Sequence, residues 1–178
     1  MYINEKGRSM IEMLGVLAVI GVLTVGGLNI IGRSKQMRDI GQLISEVSRV
    51  AMTAKKMACE YDEEYGSYTL FLYRSEAYSD ELDYDKVNNK FIGPMDSEIS
   101  IVGDMNTFTV VVSDLSEDAC IQLAGTDWGK TGINGFLGIC MGGEECNPSS
   151  DNQMELDAAS SFCSDNATVQ LKYKACYQ

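Results

Sequence analysis

No histidine occurs anywhere in the 178 residues. That removes Ser-His-Asp and Cys-His catalysis and every His-ligated metal site. Proline is nearly missing too. Pro94 and Pro148 are the only two, so the first 93 residues have room for a long helix that no proline interrupts. Basic charge is scarce: 14 Lys and Arg stand against 26 Asp and Glu, a formal net charge of −12. A chain this acidic does not bind nucleic acid by neutralising phosphates. No Cys-x-x-Cys pair is present, which leaves thioredoxin-like and zinc-ribbon readings without support. Against these absences, 45% of the residues are apolar and 22% charged, a composition that packs a core, over the length of about one domain.

The charge is divided. Residues 1–58 carry eight Lys/Arg and four Asp/Glu, a net of +4, and residues 59–178 carry six and twenty-two, a net of −16. The six cysteines divide the same way: Cys59, Cys120, Cys140, Cys146, Cys163 and Cys176 all lie in the acidic part. The chain reads as a basic, cysteine-free front and an acidic body in an oxidising compartment, where six cysteines predict three disulfides.

The front holds nineteen uncharged residues, Met13 to Ile31, with Thr24 and Asn29 the clearly polar ones. As a helix this run spans about 28 Å, close to the hydrocarbon core of a bilayer. A buried soluble helix of that length shows a polar face, and this one does not. A cleaved secretory signal is the other reading, with Lys6 and Arg8 as its basic region and Val25-Gly26-Gly27 as its cleavage site. Against it, the apolar run continues through Leu28, Ile30 and Ile31, and Glu12 stands at its start.

Beyond the run the pattern becomes amphipathic. Ile40, Leu43, Ile44, Val47, Val50, Ala51, Ala54 and Ala58 recur at spacings of three and four, with Arg38, Gln42, Ser45, Arg49 and Lys56 opposite. No turn signal separates the two stretches, so one helix is expected from about Met10 to about Cys59. Its second half must press its stripe against residues 60–178.

Gly7-Arg8-Ser9-Met10-Ile11-Glu12-Met13-Leu14-Gly15 resembles the processing motif of type IV prepilins and related pseudopilins. In that family a short charged leader ends in glycine, a membrane aspartyl peptidase cuts after it and methylates the new amine, and the fifth mature residue is glutamate. The resemblance implies a leader Met1–Gly7, cleavage between Gly7 and Arg8, N-methylation of Arg8, and Glu12 as the assembly glutamate. It further implies a pilin-like α/β roll and division into four parts. These are the leader (1–7), a transmembrane and fibre-core half of the helix (8–32), its amphipathic half (33–59), and a disulfide-bonded head (60–178). Arg8 stands where the family usually has an apolar residue; the family's proline within the apolar helix is missing, and Gly26 and Gly27 are expected to supply flexibility instead. The glutamate has a physical role in this picture. A carboxylate in lipid costs about 2.5–3.5 kcal/mol on insertion scales, and a neighbouring subunit's α-amine offsets that and sets the stagger of packed helices. The alternative is a Glu12 lying at headgroup level.

The body reads as α+β, with the long helix packed on an antiparallel sheet. Strands are expected at Tyr68–Tyr73, Glu98–Val102, Phe108–Ser113, Gly135–Ile139 and Thr168–Lys174, the last from strict alternation. Gly103-Asp104-Met105-Asn106 marks a hairpin turn. Ser116 followed by Glu117 and Asp118 starts a short helix carrying Cys120, and a second is expected over Met154–Phe162. Sequence alone does not choose the disulfide connectivity. The resemblance implies Cys120–Cys176, since type IVb pilins staple a helix-borne cysteine to one near the C-terminus. Cys140–Cys163 and Cys59–Cys146 are the pairs expected for the rest.

Other signals are discounted. Gly129-Lys130-Thr131 is a P-loop fragment whose first glycine is replaced by Ala124. Asp80-Glu81-Leu82-Asp83-Tyr84-Asp85 lacks the glycine and distal glutamate of a calcium loop and reads as a solvated acidic loop. Asn166-Ala167-Thr168 is a minimal glycosylation triplet, and Trp128 reads as core. No catalytic constellation, cofactor or metal site is expected.

The expectation is therefore a structural subunit: a type IVb pilin, major subunit, held in the inner membrane with its head outside the cytoplasm, then polymerised into an extracellular fibre. Its partners would be copies of itself, the prepilin peptidase and the assembly machinery. Arg33, Lys35 and Arg38 beyond the apolar run do not favour this orientation by the positive-inside count; the cysteines and the motif do. A minor pilin or type II secretion pseudopilin is the alternative within the superfamily, and a signal-anchored or secreted binding protein the one outside it.

Overall fold

The structure, a computed structural model, describes residues 6–60, 68–104, 106–130, 133, 135–142 and 153–175. Within the first helix it describes the side chains of Met13, Leu14, Leu17 and residues 32–59. The chain divides into two compact units, residues 1–38 and 39–178.

A single helix, α1 (Lys6–Glu60), opens the chain. In the first unit its described apolar side chains Met13, Leu14 and Leu17 are exposed, as are Arg33, Lys35 and Arg38. In the second unit most of its predicted stripe is core: Ile40, Leu43, Val47, Val50, Ala51 and Ala54 are buried, Ile44 and Ala58 are half-buried against them, and Met57, outside the predicted stripe, is buried as well. Each fully buried Leu, Ile or Val side chain contributes about 1.5–3 kcal/mol, so this stripe, not helix propensity, holds the segment in place. Gly41, Ser45, Met52 and Lys56 face outward.

The stripe joins one core with an antiparallel six-stranded sheet. The strands are β1 (Asp83–Asp85), β2 (Lys90–Ile92), β3 (Glu98–Asp104), β4 (Thr107–Leu115), β5 (Phe136–Met141) and β6 (Ala167–Lys174), in the order β1-β2-β3-β4-β6-β5. The central ladder pairs Ile99 with Val112, Ile101 with Val110, and Val110 with Leu171. In β6, Val169, Leu171 and Tyr173 are buried, while Thr168, Gln170, Lys172 and Lys174 are not, as the alternation predicts. The hairpin at residues 103–106 is present, with Asp104 paired to Thr107.

Three short helices complete the unit: α2 (Tyr68–Arg74), α3 (Glu117–Ala124) and α4 (Leu156–Phe162). Ser116 caps α3 as expected, its side chain accepting from the Ala119 amide. Trp128 is fully buried and donates Nε1–H to the Leu123 carbonyl at 2.9 Å.

Two local expectations are corrected. Tyr68–Tyr73 is the helix α2 and not a strand. Thr69 holds it there: its hydroxyl meets the Ile101 amide at 2.8 Å and carbonyl at 3.3 Å, standing where a neighbouring strand would pair with β3. The acidic run at residues 80–85 is not all loop either. Asp83–Asp85 pairs with Lys90–Ile92, and Asp85 closes the turn by accepting from the Val87 amide at 2.8 Å and Asn88 Nδ2 at 2.7 Å.

Candidate functional site

The residues that resemble a processing motif lie in the first turns of α1. Gly7, Arg8 and Glu12 have helical backbone, and their side chains lie outside the described ones. Among the described residues no helix is long and apolar enough to cross a membrane. Most side chains of the run Met13–Ile31 are outside that description.

The last turns of α1 meet the end of the sheet. Lys55 Nζ donates to the Lys174 carbonyl at 3.2 Å, and Cys59 Sγ lies 3.0 Å from the Ala175 carbonyl oxygen. Burial first, then the neighbouring Lys174 charge, hold the Lys55 ammonium below the usual lysine value. Gly135 permits this approach. Its φ of +87° favours glycine, and a Cβ there would stand 2.7 Å from Lys55 Nζ.

Four described cysteines are oxidised: Cys59, Cys120, Cys140 and Cys163. Cys120 on α3 is bonded to Cys163, at a Cα separation of 5.7 Å. This overturns both Cys120–Cys176 and Cys140–Cys163. The reason is topological. Leu115, at the end of β4, pairs with Ala167 at the start of β6, so α3 and Cys120 sit at the same end of the sheet as Cys163. Cys176 follows the other end of β6, about 27 Å of strand away. Cys140 points elsewhere: it pairs with Gln170, on the sheet face opposite Leu171. Cys146 and Cys176 lie outside the described residues, and with them the pairing Cys59–Cys146.

One polar residue of the helix went unnoticed in the sequence. Glu46 is 3% exposed, its Oε1 is 3.9 Å from Arg49 Nη1, and its Oε2 has no hydrogen-bond partner among the described residues. Its position was legible, since it stands three residues after Leu43 and four before Val50 on the buried side. Nearby, Arg49 donates to Ser79 at 3.4 Å and Gln42 to Glu81 at 2.8 Å, tying the helix to the segment after α2. Among the described residues no group of three or more Cys, Asp or Glu is placed to hold a metal ion.

No family model matches the sequence, and no curated protein does. Among solved structures the chain is similar to the type IV b pilin from Salmonella typhi. The TM-score is 0.54 at 16% identity, over 72% of this chain and 97% of that one. At that identity the likeness shows a fold. A long N-terminal helix whose second half packs on an antiparallel sheet, in a head that carries a disulfide, is the pilin fold.

Proposed function

We propose that this chain is a structural subunit of a type IV pilus, of the type IVb branch and the major subunit of its fibre. The observation that carries the reading is α1: one helix from Lys6 to Glu60, its later part the core of the head and its front exposing Met13, Leu14 and Leu17. Exposed large apolar side chains in series call for cover. In this proposal lipid covers them before assembly and the helices of neighbouring subunits afterwards, with the head held on the outer side of the inner membrane.

In the same proposal the peptidase cuts between Gly7 and Arg8 and methylates the Arg8 amine, and Glu12 meets the amine of an adjacent subunit. Identical heterologous contacts that do not close into a ring then extend as a helical filament. The chain does no chemistry of its own: the head presents a surface and the helix polymerises.

Surface fibres sheared from expressing cells, imaged by cryo-electron microscopy and weighed as subunits, test this. The expected result is a helical fibre whose subunit lacks Met1–Gly7 and carries one added methyl. A soluble secreted protein cleaved after Gly27 would overturn it in favour of a binding protein. Fibres containing the chain only in trace amounts would assign it as a minor pilin.

A further inference from the structure

Two disulfides remain to be assigned. Cys59 and Cys140 are both oxidised, and Cys120 and Cys163 are bonded to each other. Cys59 and Cys140 are therefore joined either to one another or to Cys146 and Cys176.

A direct Cys59–Cys140 bond fails on distance. Cys59 Sγ is 3.0 Å from the Ala175 carbonyl, whereas Cys140 pairs with Gln170. Five residues of strand separate those levels, about 17 Å, and a disulfide spans no more than about 7 Å between Cα atoms. Cys140 also stands on the sheet face away from the core that α1 packs against.

Cys59–Cys146 is disfavoured on reach. β5 runs away from Ala175, and the Gly142 amide donates to the Thr168 carbonyl at 2.9 Å, which fixes the departure point of the next loop. Thr168 is seven residues from Ala175, about 23 Å. The four residues from Gly142 to Cys146 stretch to about 14 Å at most. Even a straight chain aimed at Ala175 would end about 9 Å short of it. Cys176, by contrast, is the residue after Ala175, one Cα step of about 3.8 Å.

We infer that Cys59 is bonded to Cys176 and Cys140 to Cys146, so that the last turn of α1 is covalently latched to the end of β6. The three disulfides then have separate tasks. Cys120–Cys163 ties α3 to the segment after α4, Cys140–Cys146 closes a short loop after β5, and Cys59–Cys176 fastens the long helix to the head. In forming the latch, each thiol gives up its proton and one S–S bond forms. The electron pair passes to a protein disulfide of a thiol oxidase, which becomes a dithiol. Lys55, donating to the carbonyl of Lys174, holds the two ends in register for that step.

A tryptic digest of the full chain, alkylated and kept unreduced, tests the assignment. Trypsin places Cys59 in the peptide Met57–Arg74, Cys176 in Ala175–Gln178, Cys120 in Phe91–Lys130, and the other three cysteines in Thr131–Lys172. The expected map joins Met57–Arg74 to Ala175–Gln178, and Phe91–Lys130 to Thr131–Lys172. Ala175–Gln178 joined to Thr131–Lys172 overturns the inference, as does Met57–Arg74 joined to that peptide. As a second reading, Cys176→Ser should leave one maleimide-reactive thiol, at Cys59; labelling at Cys146 or Cys140 counts against the latch. If the variant does not accumulate, the wild-type map decides alone.

Discussion

The ring of Tyr68 lies so close to the backbone of Gly103 that a Cβ on Gly103 would stand 1.6 Å from its Cε2 and 2.3 Å from its Cδ2. Tyr68 opens α2, Thr69 beside it bonds to Ile101, and Gly103 is two residues further along β3. The glycine thus lets a helix lie against a strand where a side chain would keep it off. Gly103→Ala should destabilise the head by about 1–3 kcal/mol, the range for overpacking. Denaturant unfolding of the full chain in detergent checks it. Tyr68→Ala in the same molecule should recover part of the loss, because the two residues are coupled.

Tyr173 predicts a stabilising substitution and an alkaline transition. It is fully buried, stacks on Phe108 at 5.2 Å and meets Phe136 edge-on, and its hydroxyl has no partner among the described residues. Tyr173→Phe removes that unsatisfied group and should raise stability by about 1 kcal/mol. Burial pushes the phenols of Tyr68 and Tyr173 above their ordinary value of 10.0. Below its unfolded value a phenol raised by burial is neutral in both states, and its ionisation costs the fold nothing. Above that pH the unfolded chain ionises and the folded one does not, so stability falls. Melting temperature should therefore drop as pH rises past about 10, less steeply in Tyr173→Phe. Lys55, held low, acts in the opposite sense as pH approaches 10.5.

The helix, the hairpin and four of the strands were legible because each carries its own periodicity. The 3.6-residue stripe from Ile40 to Ala58 and the alternation from Thr168 to Lys174 are local signals, and burial in one core enforces both. Tyr68–Tyr73 was misread for a physical reason. Its aromatic and β-branched residues favour strands, but Thr69 caps an unpaired length of β3 with one hydroxyl, a contact 32 residues away that no local pattern reveals. The hairpin β1–β2 is hidden by its acidic composition, in which a three-residue edge strand has no hydrophobic face to announce it. The disulfides depend on strand order, and Cys163 reaches Cys120 only because β6 pairs with β4.

The Cys120–Cys163 bond closes a loop with a sequence separation of 43. In the chain-entropy model a loop of that size contributes about 4 kcal/mol. Cys163→Ser should cost about 2–5 kcal/mol, loosening α4 while leaving the β3–β4 hairpin protected. Hydrogen exchange resolved by peptide checks this; uniform loss of protection across the sheet would show that the bond supports the whole head.

The processing motif predicts two separable failures. On the proposed function, Gly7→Glu would place a bulky charge where a small residue is to fit a narrow peptidase site, so it should leave a full-length precursor and no fibres. Glu12→Val removes a charge that costs about 2.5–3.5 kcal/mol in lipid. It should insert and be cut normally, yet fail to enter fibres beside wild-type subunits. Immunoblots of membrane and sheared fractions separate the two. Wild-type fibre yield from Glu12→Val would place the carboxylate at headgroup level.

If the chain polymerises as proposed, the charge division predicts how its fibre responds to salt. Arg33, Lys35 and Arg38 are exposed on α1, just past the apolar run, and the body from residue 59 onward carries −16. In a staggered fibre that basic segment would face the head of a subunit at another level. Of the acidic run at residues 80–85, Glu81 already accepts from Gln42 and Asp85 from its own turn, which leaves Asp80 and Asp83, both exposed, as the acceptors we expect. Exposed ion pairs contribute only about 0–1 kcal/mol each, but a polymer repeats them at every subunit, and salt screens them over about 8–10 Å. Replacing all three basic residues with Gln should therefore lower the temperature at which fibres dissociate. Raising salt from low to molar concentration should weaken wild-type fibres more than the variant. Asp80→Asn with Asp83→Asn should reproduce the variant's loss and its flattened salt response. If the triple variant and the wild type respond to salt alike, the three basic residues serve as an anchor to anionic lipid before assembly and not as a contact between subunits.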